Sequence, residues 1–441
     1  MKTVIMAGGK GTRISSVASD IPKPMIKIGD MPVLEHEIMC LRDQGFNDLI
    51  ITVSHLGHII MDYFGDGSKI SPVTGKPFGV YIEYYEEEQP LGNAGALFKI
   101  KDKLTEDFLL LNADAMFDID FNRFVDHHIK KGGLVTLFTH PNSHPYDSGL
   151  ILSNMNGEVE QWLSKEDERP KYYCNRVNAG LHILSPKVLE CEINTPKVDL
   201  DRQLLKPLAG TGQMFVYDSP EYVKDMGTPE RYESVNLDYK NKIPWARNLK
   251  NKQKCIFLDR DGTINKDRGY VANKKDLVLI DGAAKAIKKI NSSEYLCIVV
   301  TNQPIIARGG CSVEGLNEIH KHLETLLGRE GAYIDGLYYC PHHPDKGYEG
   351  EVLEYKIDCD CRKPKIGMVK KASECYNIDL ELSYMIGDSW RDIEMGKNAN
   401  MHTYLVKNEK LDNSSHPVTP DGWADNLLEA INKIIGGKNG F

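Results

Sequence analysis

Asp259-Arg260-Asp261-Gly262-Thr263 sets two carboxylates two residues apart, directly after the apolar run Cys255–Leu258. On one loop above a strand tip, Asp259 can attack phosphorus while Asp261 moves protons to and from oxygen. A second phosphate-handling set lies near the start of the chain. Gly8, Gly9 and Gly11 follow the apolar run Val4–Ala7, where glycines let backbone N–H groups close on a polyphosphate without a Cβ in the way. Thr12 completes that loop, and Arg13 and Lys23 add cations where a pyrophosphate leaving group needs them. The loop lacks the G-K-[ST] ending of a Walker A motif.

A third group is Cys340-Pro341-His342 followed, after sixteen residues, by Cys359-Asp360-Cys361. Three cysteines and a histidine in two close pairs suit a closed tetrahedral Zn²⁺ site that is structural rather than catalytic. Such a site would pin a long loop beside Arg362-Lys363; His343 is out of spacing. The other seven of the ten cysteines are scattered, several in apolar runs, which is no secreted disulfide framework and predicts the cytoplasm. His55-Leu56-Gly57-His58 imitates an HxGH nucleotidyltransferase motif, but it follows a later strand and reads as a loop and helix start.

These groups must be carried by alternating strands and helices. Strands are expected at Val4–Ala7, Leu49–Val53, Val80–Tyr85, Phe108–Asn112, Leu134–Thr139 and Asn178–Leu184. Asn156-Gly157 marks a hairpin between Leu150–Ser153 and Val159–Leu163. Helical patterns cover about 32–44, 92–101 and 120–131. A polar, Lys- and Asn-rich stretch at 237–253 interrupts the series. Strands resume at Cys255–Leu258, Leu296–Thr301, Ile334–Tyr339, Ser383–Ile386 and Thr403–Val406, with helices near 282–291, 313–328, 367–377 and 390–398 and a last amphipathic one at the end. The expected fold class is α/β, with two Rossmann-like domains at 1–240 and 254–441 joined by a linker at 241–253.

The run G-G-x-G-T-R followed by P-K-P resembles the sugar-1-phosphate nucleotidyltransferase family, over about residues 1–237. The resemblance implies a mixed sheet and a base-recognition loop at Pro90–Ala96, with Leu91, Gly92 and Asn93 on the nucleotide. It further implies Mg²⁺ on Asp114 and Asp225, and the sugar phosphate on Lys165 and Asn178. Ala113 stands where many members have Gly. In that chemistry a sugar 1-phosphate oxygen attacks the α-phosphorus of a triphosphate and pyrophosphate leaves in line.

D-x-D-G-T resembles the haloacid dehalogenase phosphatase superfamily, which implies a parallel sheet. The resemblance makes Asp259 the nucleophile and Asp261 the acid and base, and places Thr301, Asn302, Arg362 and Lys363 on the phosphoryl group. Mg²⁺ would lie on Asp388 with Asp259 and Asp261, and Asp392 would assist from behind. The cysteine–histidine loop resembles the D-glycero-D-manno-heptose 1,7-bisphosphate 7-phosphatases and the related histidinol-phosphate phosphatases, over about 254–410. Asp267–Tyr270, Thr301–Gln303 and Ile306–Gly309 fit the heptose side, with Tyr270 at the sugar phosphate. Pro304-Ile305 replaces the usual Ser-Gly, and Ser389 replaces a lysine.

The first half also resembles the D-glycero-α-D-manno-heptose 1-phosphate guanylyltransferases. Together the halves imply a bifunctional enzyme that uses GTP and heptose phosphates to make GDP-D-glycero-α-D-manno-heptose. A mannose-1-phosphate guanylyltransferase joined to another phosphatase, or one domain serving only as a sensor, stays open at this point. Net charge of −9 without a long basic run argues against nucleic acid or an anionic membrane as partner. No run of about 18 apolar residues predicts a membrane span, and the first residues are too short in apolar length for a secretory leader. A homo-oligomer is left open.

Overall fold

The computed structural model describes residues 1–9, 20–192, 195, 197–347, 349–408 and 417–436. Gly11, Thr12 and Arg13 lie outside the described residues. The chain divides into two compact units: Met1–His140, Ser148–Asp167 and Arg176–Asn248 form one, and Pro141–Asp147, Glu168–Asn175 and Leu249–Phe441 the other.

The first unit is built on a nine-stranded mixed sheet. Thr3–Met6 lies at its centre, parallel to Asp48–Val53 on one side and Phe108–Asn112 on the other. Tyr81–Glu86 extends the parallel part, and Val177–Leu184 joins Phe108–Asn112 antiparallel. The central strands Thr3–Met6 and Phe108–Asn112 read as continuous apolar runs because both sheet faces are covered there. Ile5, Leu109 and Leu111 enter one core, and Val4, Phe108 and Leu110 the other. A separate antiparallel ladder pairs Ala115–Asp118 with Tyr222–Asp225.

Local signals set the helix ends. Asp120 accepts hydrogen bonds from Asn122 N and Arg123 N at the start of helix Phe121–Lys131, and Gly132 closes it at φ 67°. Thr228 caps helix Pro229–Lys240, with Pro229 in its first turn. The HLGH segment is a turn into helix Gly57–Phe64, with Leu56 at φ 61°.

The second unit carries a six-stranded sheet in the order Gly336–Cys340, Tyr295–Asn302, Lys254–Leu258, Tyr384–Gly387, His402–Val406, Gly422–Ala424. Every pairing in it is parallel. Ile256 and Leu258 point into one core, and Cys255 and Phe257 into the other. The α/β class, mixed in the first half and parallel in the second, is as expected.

Several elements differ from the sequence pattern. Strands Ala115–Asp118, Met214–Asp218, Tyr222–Asp225 and Gly422–Ala424 were not foreseen, being only three to five residues long. Helix Pro229–Lys240 escaped notice because it buries only Val235 and Asp238, leaving almost no apolar periodicity. Within 241–253 the chain forms helix Ile243–Ala246, with Ile243 and Pro244 buried.

Phe124 is wholly buried, its ring 5.6 Å from that of Phe138 and 5.3 Å from that of Tyr217. Phe124→Ala should cost about 3–5 kcal/mol of stability, read as a lowered denaturation midpoint for the first unit with the second unit's transition unchanged.

Candidate active sites

In the first unit a cavity of about 510 Å³ opens at the carboxyl ends of the central strands, where ligands bind in open α/β sheets. Ala7, Gly8, Gly9, Lys23, Gly92 and Asn93 are among its lining residues. The described start of the glycine loop is held by the end of strand Asp48–Val53. Ala7 N donates to Thr52 O at 2.9 Å, and Ser54 Oγ to Gly8 O at 2.5 Å. Gly92 has φ +83°, and a Cβ there would lie 2.3 Å from Val198 O, so that turn accepts only glycine.

Asp114 and Asp225 converge because the Ala115–Asp118 ladder sets Asp225 opposite Ala115. Lys23 Nζ lies 2.6 Å from Asp114 Oδ2 and 3.4 Å from Asp225 Oδ1. Arg231 Nη1 adds a contact of 2.6 Å to Asp225 Oδ2, and Gly227 N donates to its Oδ1 at 2.7 Å. Burial opposes ionisation of Asp225, but Lys23, Arg231 and the Gly227 N–H outweigh it and hold the carboxyl below its usual value. Two carboxylates already gathered on one cation form a donor set that suits a hard dication.

Other expected residues stand further off. Leu91 is not among the cavity's lining residues; its N donates to Glu87 Oε2 at 3.2 Å, which fixes the loop. Lys165 is in the exposed turn after strand Val159–Leu163 and does not line the cavity. Asn178 lies on strand Val177–Leu184, two residues before Gly180, whose Cβ would meet the cavity residue Asn112. Glu87, Asn112 and Arg231 were missed by the sequence reading. Glu87 stands three residues before Pro90, a position that could have drawn notice.

In the second unit Asp259, Thr301-Asn302 and Asp388 occupy the carboxyl ends of three adjacent parallel strands. Lys363 Nζ reaches Asp259 Oδ1 at 2.8 Å and Asp392 Oδ1 at 2.6 Å. Its backbone is clamped reciprocally: Lys363 N donates to Asn302 Oδ1 at 3.0 Å, and Asn302 Nδ2 to Lys363 O at 3.2 Å. Burial pushes Asp259 up to about 6 against the pull of Lys363. Burial, with repulsion from Asp259 and Asp392, pushes Asp388 up to about 8. Asn408 Nδ2 donates to Asp388 Oδ2 at 2.6 Å, a contact with no sequence signal.

Asp259, Asp388 and Asp392 offer oxygens within 4.8 Å of one another. Three buried carboxylates around one ammonium are under-neutralised, so the cluster fits a divalent cation. Asp261, expected in the metal set, turns its carboxylate elsewhere. Arg260 grips it through Nη2 at 3.0 and 2.8 Å, Asn265 Nδ2 at 2.8 Å and Gln303 Nε2 at 2.8 Å. Although burial raises its pKa, these donors win and hold Asp261 below its usual value, so here it is ionised. Gln303 Nε2 also donates to Thr301 Oγ1 at 2.9 Å. Ser389 caps helix Trp390–Asn398 and bonds Asp392 through its Oγ at 2.7 Å, which gives the departure from lysine a structural role.

Cys340, His342, Cys359 and Cys361 meet as the spacing suggested. Sγ of Cys359 is 3.5 Å from that of Cys340 and 3.3 Å from that of Cys361, and His342 Nδ1 is 3.4 Å from Cys361 Sγ and 3.8 Å from Cys340 Sγ. A tetrahedral zinc requires edges of about 3.6–3.8 Å from its usual bond lengths, so the four atoms could hold that metal. Gln303 N donates to Cys340 O at 2.7 Å, and Arg362 Nη1 to His342 O at 3.2 Å, tying the cluster to the carboxylate centre. Tyr270 lies under Arg308, whose guanidinium carbon is 5.1 Å from the ring centre.

The nucleotidyl transferase family model matches residues 2–242, and the HAD-hydrolase-like model matches residues 360–430. The D-glycero-beta-D-manno-heptose-1,7-bisphosphate 7-phosphatase of Pasteurella multocida is 43% identical over 183 residues, covering 41% of this chain and 93% of the relative. The phosphatase of that name from Escherichia coli K12 is 39% identical over 187 residues, covering 41% and 93%. The crystal structure of HddC from Yersinia pseudotuberculosis complexed with GMP-PN aligns at TM-score 0.44 with 25% identity, covering 54% of this chain and 99% of that one.

Gly262 has φ +80°, and a Cβ on it would lie 1.8 Å from Asp388 Oδ2. Gly262→Ala should therefore displace Asp388 and lower phosphate release by about 100-fold while leaving pyrophosphate release from a sugar 1-phosphate unchanged. If the cluster holds zinc, Cys361→Ser should lower the zinc content found by elemental analysis, lower the melting temperature of the second unit and reduce phosphate release by about 10–100-fold.

Proposed function

The chain belongs to the nucleotidyl transferase family over residues 2–242 and to the D-glycero-beta-D-manno-heptose-1,7-bisphosphate 7-phosphatase family over a further 183 residues, and on that premise we propose that it performs two successive steps. The 7-phosphate of D-glycero-D-manno-heptose 1,7-bisphosphate is removed first. GMP is then transferred from GTP to the resulting heptose 1-phosphate, with release of pyrophosphate. One observation carries the reading: a buried Asp259–Lys363–Asp388 centre and an Asp114–Lys23–Asp225 centre occur in one chain, and the sugar phosphate left by the first chemistry is the nucleophile of the second.

In the first step Asp259 attacks phosphorus and the sugar oxygen leaves with a proton from Asp261. For that, Asp261 must first be protonated against the pull of Arg260, Asn265 and Gln303. Its ionised form suits the second half, in which it takes a proton from the water that hydrolyses the aspartyl phosphate. Thr301, Asn302, Arg362 and Lys363 hold the phosphoryl oxygens, and Tyr270 faces the sugar phosphate. Asp259 and Asp388, with Asp261 turned back toward them or Asp392 in its place, would hold Mg²⁺, which supplies charge neutralisation. The cysteine–histidine set would hold Zn²⁺ and keep Arg362-Lys363 in place.

In the transfer step Gly8, Gly9, Gly11 and Thr12 cradle the triphosphate, and Leu91, Gly92 and Asn93 border the base. Arg13 and Lys23 steady the leaving pyrophosphate, Asn178 orients the sugar phosphate, and Lys165 would join it by swinging in from its exposed turn. Asp114 and Asp225 would hold the Mg²⁺ of this site. The guanine assignment is supported by the motif resemblance. The guanylyltransferase resemblance specifies the α anomer, whereas the phosphatase relatives are named for the β anomer, so both are arms of the test.

Each anomer of the bisphosphate, supplied with GTP and Mg²⁺, should be tested by mass analysis of the product. The α anomer is expected to give phosphate, pyrophosphate and a GDP-heptose. Preference for CTP, UTP or dTTP would overturn the guanylyl assignment, and equal use of mannose 1-phosphate the heptose assignment. Asp259→Asn should abolish phosphate release and spare transfer from heptose 1-phosphate; loss of both would mean the centres are not independent.

A further inference from the structure

Strand Val177–Leu184 is broken by a register shift between Asn178 and His182 where it pairs with Val135–His140. Gly180 sits in this bulge at φ +77°, and a Cβ on it would lie 2.6 Å from Asn112 Nδ2, which explains the glycine. Four residues of regular strand would separate Asn178 from His182 by about 13 Å. The bulge instead brings the side chains together, with His182 Nε2 3.0 Å from Asn178 Oδ1.

The amide orientation follows from the partners. Gly180 N donates toward the same Asn178 atom at 3.3 Å. A backbone N–H can only donate, so that atom is the carbonyl oxygen and the neighbouring His182 Nε2 must carry a proton. His182 Nδ1 is buried without a partner. An unmet lone pair there is tolerable, whereas a buried N–H would not be. The ring is fully buried, and burial keeps it neutral, with a pKa lowered to about 3. Both donors are thus spent on Oδ1, and Asn178 Nδ2 has no hydrogen-bond partner among the described residues.

We propose that His182 is a positioning residue of the transfer site: it holds the Asn178 amide by its oxygen, so that the NH₂ edge alone is offered to an anionic oxygen of the sugar 1-phosphate. The proposal rests on the transfer reading and on Asn178 as a sugar-phosphate contact. Without the Nε2–H donor the amide can turn and offer its carbonyl oxygen to the phosphate, which repels it. His182 touches no substrate and acts through Asn178 alone. A hydroxyl or second carbonyl at position 178 would escape this control, whereas an amide needs it.

The test uses the full chain and measures pyrophosphate release with GTP and heptose 1-phosphate. His182→Leu and His182→Phe both remove the donor, and either folded variant decides. The KM for the sugar 1-phosphate should rise about 10-fold, with KM for GTP within about two-fold of the parent. His182→Gln, which retains an N–H, should restore most of the loss. In an Asn178→Ala background, His182→Leu should have no further effect on that KM. An unchanged sugar 1-phosphate KM, an equal rise in both KM values, or an additive loss in the double variant would overturn the proposal. Absence of transfer by the parent chain with every sugar 1-phosphate and triphosphate would instead overturn the transfer reading.

Discussion

Lys363 Nζ lies 2.8 Å from Asp259 and 2.6 Å from Asp392, and all three side chains are withdrawn from solvent. A buried carboxylate without a partner would neutralise itself, so this ammonium is what keeps Asp259 chargeable at the carboxyl end of its strand. The same side chain reaches Val300 O at 3.0 Å, and its backbone is held by Asn302. Removing it would leave three acids facing one another. The strand ends, the Asn302 clamp and the cysteine–histidine cluster at the adjoining residues can all be understood as means of keeping Lys363 in position.

The first unit uses the same device in wetter surroundings. Lys23 bridges Asp114 and Asp225, but both carboxylates are about two-fifths exposed. Water shares the work there, and Asp225 stays ionised because Lys23 and Arg231 outweigh its desolvation. The contrast follows the chemistry each centre supports. A carboxylate that attacks phosphorus gains from losing its water shell, whereas carboxylates that only neutralise a polyphosphate can remain accessible to an exchangeable cation.

What could be read from the sequence was the part written over short distances. Asp259-x-Asp261, Cys340-x-His342 and Cys359-x-Cys361 each put their chemistry on one loop, and the buried parallel strands announce themselves as apolar runs. Lys23 could be picked out by its charge, but Asp114 and Asp225 were named only by resemblance. The physical cause of their meeting, the ladder of Ala115–Asp118 with Tyr222–Asp225, spans strands of four residues, too short for alternation to stand out. Arg231 meets Asp225 across a turn, Asn408 meets Asp388 from a later loop, and Asp392 joins Asp259 from more than a hundred positions away, contacts for which no spacing rule exists. Asp261 shows the opposite failure: its position in the motif was plain, but its grip by Arg260 depends on how a fully buried guanidinium is oriented.

Gathering acids in this way works against folding, and the glycines show where the strain is absorbed. A Cβ on Gly262 would meet Asp388 at 1.8 Å, and one on Gly387 would meet Asp392 at 2.3 Å. Only backbone without side chains allows the carboxylates so close to the strand ends. Burial raises Asp388 most, and the repulsion from Asp259 and Asp392 that adds to it follows from this close backbone approach. That repulsion must be offset by the apolar cores on the two faces of the parallel sheet, where Ile256, Leu258, Cys255 and Phe257 are fully buried just before Asp259. Stability and function are thus set by neighbouring residues of one strand: the apolar run holds the strand end still, and the acid that follows uses that rigidity to stay close to its like-charged neighbours.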